Sequence, residues 1–437
     1  MDSFRKNTKV IVVGGGGTMG ASTALHLIRA GYTPGNITVL DTYPIPSAQS
    51  AGHDLNKIMS VRIRNDVDLQ LSLEARDMWR NDHLFKPFFH NTGMLDCSGS
   101  KEGIASLRQK YQNLVTRHPS LKEANVWVDS EDEILKLMPT LDREQIKGWK
   151  GIFGQDGGWL AAADAINAIG DVLKSRGVKF GFGKAGTFKQ PLFKEDETTC
   201  IGVETVDGTK YYADKVVLAA GAWSPTLVDL EDQCCSKAWV FAHIQLTPEE
   251  AAEFKDTPVV YNGELGFFFE PNEQGIMKFC DEFPGFSRFK LHQPYGAAAP
   301  KAVSVPRSHA KHPTDTYPNA SEATIRKAIS TFLPRFKNRE IINRAMCWCT
   351  DTADAAHLIC EHPRWKNFIL ATGDSGHSFK LLPNIGIHIV ELIEGRLQKD
   401  FVDAWRWRPG GDAVKSRRAA PAKDLADMPG WRHDAAL

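Results

Sequence analysis

The stretch that decides the fold opens with Lys9-Val-Ile-Val-Val-Gly-Gly-Gly-Gly-Thr-Met-Gly20 and closes with Ile37-Thr-Val-Leu-Asp41. Its first apolar run, Val10 to Val13, is short and β-branched, which is typical of a strand buried on both faces of a parallel sheet. Helical periodicity follows from Ala21 to Ala30, and a second apolar strand comes after it. The stretch therefore predicts a strand–helix–strand unit.

The glycines of this unit fit the pattern G-x-G-x-x-G at Gly15, Gly17 and Gly20. The first glycine allows a tight turn, the second lets backbone approach a pyrophosphate, and the third lets the helix pack closely on the strand. Asp41 ends the second strand, where a carboxylate can accept hydrogen bonds from a ribose. A glycine pattern alone is weak evidence, but strand, helix, strand and acid in register predict a dinucleotide site.

Composition excludes several classes of protein. The chain has 437 residues, enough for more than one average domain, and 42% of them are hydrophobic. Basic and acidic residues number 53 each, which argues against nucleic acid or a membrane surface as the main partner. We find no apolar signal segment and no run near the roughly 20 residues that span a bilayer. The eight cysteines show no metal-finger spacing, so we expect reduced thiols, no metal and an intracellular protein.

Two later segments repeat the pattern of an apolar strand that ends in small residues, at 215–221 and 368–373. Between them, residues 239–280 carry short alternating strands, which are typical of an antiparallel sheet. Residues 104–137 have a helical pattern with a break at Pro119. A second G-x-G-x-x-G at 181–186 leads into Pro191 instead of a helix, so we interpret it as part of a hairpin.

This interleaving predicts an α/β plus β fold, in which a discontinuous, Rossmann-like nucleotide-binding domain carries an inserted, mainly antiparallel β-sheet substrate domain. The expected ranges are 1–60, 150–230 and 345–400 for the first domain, 61–149 and 231–344 for the second, and 401–437 for a C-terminal tail that contributes to the site. The loop after Asp41 leaves the sheet where open α/β sheets bind ligands, so its polar residues are candidates to meet a cofactor. These residues are Ser47, Ser50, Asn56 and Lys57.

The chain closely resembles the fungal fructosyl peptide oxidases, or amadoriases, which are flavoenzymes of the sarcosine oxidase-like branch. The resemblance spans nearly the whole length and rests on residues 12–20, Ser50-Ala-Gly-His-Asp-Leu-Asn-Lys57, Lys278-Phe-Cys-Asp-Glu282, Met346-Cys-Trp-Cys-Thr-Asp-Thr352 and Gly373-Asp-Ser-Gly-His-Ser-Phe-Lys-Leu-Leu-Pro383. It implies bound FAD and oxidation of the bond between sugar C1 and the amine nitrogen of an Amadori compound. Dioxygen would become hydrogen peroxide, and hydrolysis of the imine would give glucosone and a free amino acid or peptide.

The resemblance also implies roles for individual residues. Lys278 would activate oxygen above the flavin, with Lys57 as a second cation and Asn56 beside them. The substrate would meet Glu282, Arg417, Lys380, which pairs with its carboxylate, and Arg62 in an entrance segment, while Cys347 would be bonded to the flavin. The expected cofactor contacts are Gly15, Gly17, Thr18, Met19, Gly20, Asp41, Ser47, Ser50, Lys57, Ala220, Gly221, Trp223, Cys347, Asp374, Gly376, Phe379 and Lys380.

Several alternatives stay open at this point. In a strand, Cys347 and Cys349 share one face, so spacing alone does not choose between them; the resemblance selects Cys347. An FAD oxidase of N-methyl or other secondary amino acids would use the same fold. A non-catalytic flavin-binding redox sensor would need the FAD site without Lys278, Glu282 and Lys380 together. The chain ends in Ala-Ala-Leu437, which is not a standard peroxisomal signal, so we expect a cytoplasmic monomer and leave peroxisomal import open.

Overall fold

The glycine-rich stretch forms the centre of a six-stranded sheet in the computed structural model, which describes residues 1–61, 65–315, 317–415 and 422–431, without the side chains of 282–284. All four side chains of Val10–Val13 are buried, as predicted. The strand order is Leu358–Glu361, Phe368–Thr372, Lys215–Leu218, Val10–Val13, Ile37–Leu40 and Lys179–Gly181. All neighbours are parallel except the first pair. The prediction that three distant segments share one sheet is confirmed.

Different layers cover the two faces of this sheet because successive side chains of each strand point in opposite directions. Val10 and Val12 pack in a core with the helices Thr18–Arg29, Ala162–Ser175 and Ile385–Ile393. Ile11 and Val13 pack against a three-stranded antiparallel sheet. That sheet consists of Phe188–Phe193, Cys200–Thr205 and Lys210–Tyr212.

The second large unit is a mainly antiparallel nine-stranded sheet, in agreement with the predicted fold class. Eight strands follow one another in the order Ile342–Thr352, Cys234–Gln245, Ile276–Ser287, Gly266–Phe268, Val259–Asn262, Met94–Ser98, Lys150–Gly154 and Asn125–Val128. The short strand Lys423–Asp424 pairs in parallel with residues 286–287, so the C-terminal part of the chain is attached to this sheet.

Sheet membership corrects several sequence expectations. Lys150–Gly154 and residues 345–352 of the strand Ile342–Thr352, which we expected in the nucleotide-binding unit, pair within the nine-stranded sheet. Asn125–Val128 is a strand inside the stretch with the helical pattern, where it separates the helices Lys101–Arg117 and Glu131–Leu137. Pairing with residues 151–154 stabilises this strand, and such a distant partner leaves no trace in local periodicity. The second glycine pattern opens no α-helix, as we expected.

The remaining elements connect these layers. A small antiparallel sheet contains Asn56–Met59, Gly158–Ala161 and Phe89–His90, and a hairpin contains Phe289–His292 and Lys301–Ser304. The other α-helices in the described residues are Asp2–Asn7, Asp66–Asn81, Ser224–Leu227, Pro248–Ala252, Asn319–Phe332 and Lys399–Trp405. No helix in this part of the chain is both long and apolar enough to cross a membrane.

Candidate active site

A cavity of about 870 Å³ is lined by residues of both large sheets. Most of the predicted site residues line it, namely Gly17, Thr18, Met19, Asp41, Ser47, Ser50, Asn56, Lys57, Ala220, Gly221, Trp223, Lys278, Cys347, Asp374, Gly376, Phe379 and Lys380. Gly15 and Gly20 are not among the residues that line it. Arg62, Arg417 and the side chain of Glu282 lie outside the described residues, although the backbone of Glu282 belongs to the strand that carries Lys278.

The glycine loop has the shape of a phosphate cradle. Helix Thr18–Arg29 begins after Gly17 without a side-chain cap, so its first N–H groups and its dipole can serve an anion. A Cβ on Gly20 would lie 2.3 Å from the carbonyl oxygen of Gly14, which is the close helix–strand approach that the pattern assigns to this glycine. The position of the tight turn differs from the expectation. The glycine with a positive φ, of +79°, is Gly14 and not Gly15.

The carboxylate of Asp41 ties this loop to the segment that follows the second strand. One oxygen accepts hydrogen bonds from the Ser47 hydroxyl at 2.6 Å and the Tyr43 N–H at 3.2 Å, and the other accepts the Gly16 N–H at 3.0 Å. Burial raises the pKa of Asp41, against the effect of these hydrogen bonds. Asp41 also lines the cavity, which brings its carboxylate to the surface that a bound ribose would contact.

Three observations indicate that the residues of this cavity fit FAD. The glycine loop lacks room for side chains and presents an uncapped helix N-terminus to the cavity. The buried Oδ1 atom of Asn56 has no hydrogen-bond partner among the described residues, which suits a polar group of a bound ligand. The volume of the cavity is near the upper end of the range for cofactor sites.

Two lysines of the cavity wall, the buried Lys278 and the partly buried Lys57, share one carboxylate. Nζ of Lys278 lies 2.5 Å and Nζ of Lys57 lies 2.6 Å from the same oxygen, Oδ2 of Asp54. Lys278 is only 2% exposed, donates a second hydrogen bond to the Asn56 carbonyl, and lies 4.7 Å from the ring centre of Phe241. Sequence reasoning missed Asp54, although an acid three residues before Lys57 was the available signal.

The charges of this trio depend on one another. Burial alone would raise the pKa of Asp54, but the charges of Lys278 and Lys57 outweigh it and hold the pKa well below its usual range. Burial likewise opposes the charge of Lys57, and Asp54 outweighs it and raises the lysine pKa. The trio therefore combines two cations and one anion, which leaves it with an excess of one positive charge.

Tertiary contacts distinguish the two cysteines that share a face of strand Ile342–Thr352. Nζ of Lys57 lies 3.6 Å from Sγ of Cys347. The neighbouring thiol of Cys349 and the charge of Lys57 together lower the pKa of Cys347 to about 7, although burial acts in the opposite direction. The interaction with Cys347 and burial raise the pKa of Cys349 well above its usual range. Cys347 is thus the thiol that ionises near neutral pH.

Lys380 and Asp374 also line the cavity. The ammonium of Lys380 donates to the Ser60 carbonyl at 3.0 Å, and its own carbonyl accepts the indole N–H of Trp79 at 2.7 Å. Lys380 is thereby held beside the segment that leads to Arg62. Asp374 accepts a hydrogen bond from the Thr350 N–H, and burial raises its pKa to about 6.

Comparisons with known proteins agree with this geometry. The FAD dependent oxidoreductase family model matches residues 9–392. L-saccharopine oxidase from Schizosaccharomyces pombe is 32% identical over 411 residues, which cover 92% of this chain and 93% of the relative. A solved fructosyl peptide oxidase from E. terrenum is 75% identical with a TM-score of 0.98 and 99% coverage of both chains. A modified fructosyl peptide oxidase from Aspergillus nidulans, in complex with FSA, is 75% identical with a TM-score of 0.97, covering 98% of this chain and 100% of its own.

Proposed function

The chain belongs to the fructosyl peptide oxidases within the FAD-dependent oxidoreductases, and on that premise we propose that it oxidises fructosyl amino acids and short fructosyl peptides. One observation carries the proposal, namely that Lys278 and Lys57 both pair with the buried Asp54, beside Cys347, in a cavity that the dinucleotide-type sheet also lines. The 75% identity to fructosyl peptide oxidases over the whole chain supports the substrate class.

Bound FAD would supply the two-electron oxidation of the carbon–nitrogen bond, a chemistry that protein side chains do not offer. In the overall reaction, the bond between sugar C1 and the amine nitrogen becomes an imine, and one dioxygen becomes one hydrogen peroxide. One water then hydrolyses the imine, which gives glucosone and a free amino acid or peptide. The substrate amine must be neutral to lose hydride, so the site has to orient the substrate and needs no strong base.

Lys278 is the residue that we assign to oxygen activation. Its ammonium lies inside a buried cavity, where a positive charge stabilises the negative charge that develops on dioxygen more strongly than it would in water. Asp54 fixes the position of this ammonium, and Lys57 supplies the second positive charge that keeps the trio cationic. Asn56 adds a carbonyl contact to Lys278 and an unused amide oxygen in the cavity.

Substrate contacts follow from the same family assignment. We assign Lys380 to the substrate carboxylate, because it is a buried cation on the cavity wall. Glu282, Arg417 and Arg62 complete the substrate site on the strength of the sequence resemblance. We further propose that the protein works as an intracellular monomer, and its free cysteines are in line with a reducing compartment.

We assign the covalent attachment of FAD to Cys347. Attachment would replace the sulfur–hydrogen bond of Cys347 and one carbon–hydrogen bond of the flavin ring methyl by one sulfur–carbon bond. The two electrons and two protons released would reduce one dioxygen to hydrogen peroxide. The lowered pKa of Cys347 supports this residue, because the thiolate is the nucleophile.

A peroxidase-coupled assay on the purified full-length chain tests the substrate class. Fructosyl-valine and a short fructosyl dipeptide should both yield hydrogen peroxide, and both should bleach the flavin absorbance under anaerobic conditions. Sarcosine and D-alanine, which carry no sugar, serve as comparison substrates. Faster turnover of sarcosine than of fructosyl-valine would contradict the proposal, and an absence of bleaching with all four would indicate a non-catalytic flavoprotein.

A further inference from the structure

The ammonium of Lys278 contacts two aromatic rings to which the proposed reaction gives no role. Its Nζ atom lies 4.7 Å from the ring centre of Phe241 and 5.6 Å from that of Phe269. Both distances fall within the roughly 6 Å over which the negative face of an aromatic ring attracts a cation. Both rings also line the cavity. Aromatic rings therefore hold this ammonium in addition to its hydrogen bonds.

Backbone pairing brings both rings to the lysine. The strand of Lys278 pairs on one side with the strand of Phe241 and on the other with the strand that ends just before Phe269. Phe241 lies opposite Cys280, and since residues 278 and 280 point to the same face, the Phe241 ring is on the lysine side of the sheet. The N–H of Phe269 donates to the Lys278 carbonyl at 3.4 Å. The sheet therefore fixes both rings next to the ammonium.

The two rings distinguish Lys278 from the other cations in the described part of the chain. All other ring contacts of cations there belong to arginines. Lys237 is a similarly buried strand lysine with Asp351 as its carboxylate partner, and its ammonium contacts no ring among the described residues. An ion pair alone is thus enough to bury a lysine in this sheet, which indicates that the rings at Lys278 serve something other than burial.

We propose that Phe241 and Phe269 are positioning residues, which hold the Lys278 ammonium in place and keep water away from it for the reaction with dioxygen. The inference rests on the proposed role of Lys278 in oxygen activation. Phe269 and Lys278 are 1% and 2% exposed, so bulk water has little access to this contact. The two rings act through the ammonium, and the reduction of flavin by substrate does not require them.

An aromatic ring suits this position because it attracts the ammonium without cancelling its charge. Asp54 accepts one hydrogen bond from Lys278 at 2.5 Å, and the Asn56 carbonyl accepts another at 3.2 Å. A second carboxylate here would neutralise the excess positive charge that Lys278 and Lys57 share on Asp54, and water would screen it. An aromatic ring has no net charge and low polarity, so it does neither. The positive charge therefore stays available to the negative charge that develops on dioxygen.

A double-mutant cycle on the full-length, FAD-loaded protein tests this inference. Phe241→Leu and Phe269→Leu remain apolar but lose the ring, and each is combined with Lys278→Met. Phe241→Tyr is the conservative replacement that keeps the ring. Phe267→Leu is the matched control, because Phe267 lines the same cavity and its ring contacts no cation within the described ranges. Phe241 is only partly buried, so its variants provide the test on their own if Phe269→Leu fails to fold.

Stopped-flow absorbance should show that each leucine variant slows the oxidation of reduced flavin by dioxygen about tenfold, the value of one cation–π contact away from water. Flavin reduction by fructosyl-valine should change less than about twofold, because the rings act only on the step that uses the ammonium. Phe241→Tyr and Phe267→Leu should keep the wild-type ratio of the two rates. In the Lys278→Met background, the leucine substitutions should cause no further slowing, because the ammonium through which the rings act is absent.

Unfolding of the loaded protein in urea gives a readout that is independent of turnover. Because the ring and the ammonium interact, the stability losses of Phe241→Leu and Lys278→Met should sum to more than the loss of the double variant. Additive losses, wild-type oxidation rates in both leucine variants, or equal slowing with and without Lys278 would each overturn the inference alone. Equal losses in both half-reactions of Lys278→Met would overturn the proposed role of this lysine as well.

Discussion

Replacement of Lys278 by methionine should slow the oxidation of reduced flavin by dioxygen far more than the reduction of flavin by substrate. Methionine keeps the length of the side chain but removes the ammonium that lies 2.5 Å from Asp54 and 4.7 Å from the Phe241 ring centre. With Lys57 as the one remaining cation of the trio, its excess positive charge falls to zero. Loss of one such preorganised electrostatic donor typically costs about 3 kcal/mol, or roughly 100-fold in rate.

The two half-reactions can be compared only if Lys278→Met stays folded. Removal of one partner from a buried ion pair costs roughly 3–5 kcal/mol when the other charge is left uncompensated. In Lys278→Met, Asp54 still has Lys57 as a partner at 2.6 Å. The loss of unfolding free energy should therefore be smaller than roughly 3–5 kcal/mol. Lys237→Met is a matched control, because Lys237 is an equally buried strand lysine paired with Asp351 at 3.1 Å, outside the cavity lining.

Stopped-flow absorbance separates the two half-reactions. Anaerobic mixing with fructosyl-valine gives the rate of flavin reduction, and mixing of the reduced enzyme with dioxygen gives the rate of its oxidation. Lys278→Met should lower the second rate about 100-fold and the first by less than about fivefold, whereas Lys237→Met should leave their ratio unchanged. Equal losses in both half-reactions of Lys278→Met would refute the assignment of oxygen activation to this residue.

Lys380→Ala should mainly raise the Michaelis constant for carboxylate-bearing substrates, because it loses a charge-assisted hydrogen bond; an unchanged constant would remove Lys380 from the substrate site. Acid precipitation should release the yellow chromophore from Cys347→Ser but not from wild type or Cys349→Ser, and a flavin-bearing Cys349 peptide in mass spectrometry would contradict this. His26 has a pKa lowered to about 4 by burial, so it stabilises the fold fully above pH 6.5 and loses up to roughly 3 kcal/mol as pH falls towards 4. His26→Gln should therefore flatten the decline of the unfolding free energy in that window in urea titrations, and an unchanged slope would disprove the contribution.

Local chemistry made much of the fold predictable. The strand at 10–13 and the helix that follows it need only neighbours in sequence to reveal their period, and both occur where expected. The same is true of the strands at 215–218 and 368–372, whose small terminal residues face the cavity as predicted. Their pairing in one sheet followed from the shared pattern.

Other features required the tertiary structure because their partners are distant in the chain. Asp54 has no distinctive motif of its own, and it gains its role only when Lys278 arrives from a strand more than 200 residues later. Strand Asn125–Val128 exists through its pairing with residues 151–154, and the strand at 342–352 joins the second sheet through its pairing with residues 234–243. Local periodicity carries no information about such partners.

The two cysteines of Cys347-Trp348-Cys349 illustrate the difference between what the sequence determined and what the tertiary structure decided. The sequence by itself determined that a strand would present both thiols on one face, because alternate residues of a strand point the same way. Only the tertiary structure decided which thiol has the lowered pKa. The interaction between the two thiols lowers the pKa of Cys347 and, together with burial, raises that of Cys349; the Lys57 ammonium 3.6 Å from Cys347 and the charge of Asp374 near Cys349 act in the same directions. Electrostatic energies depend on distances in space and on burial, which a strand pattern alone does not contain.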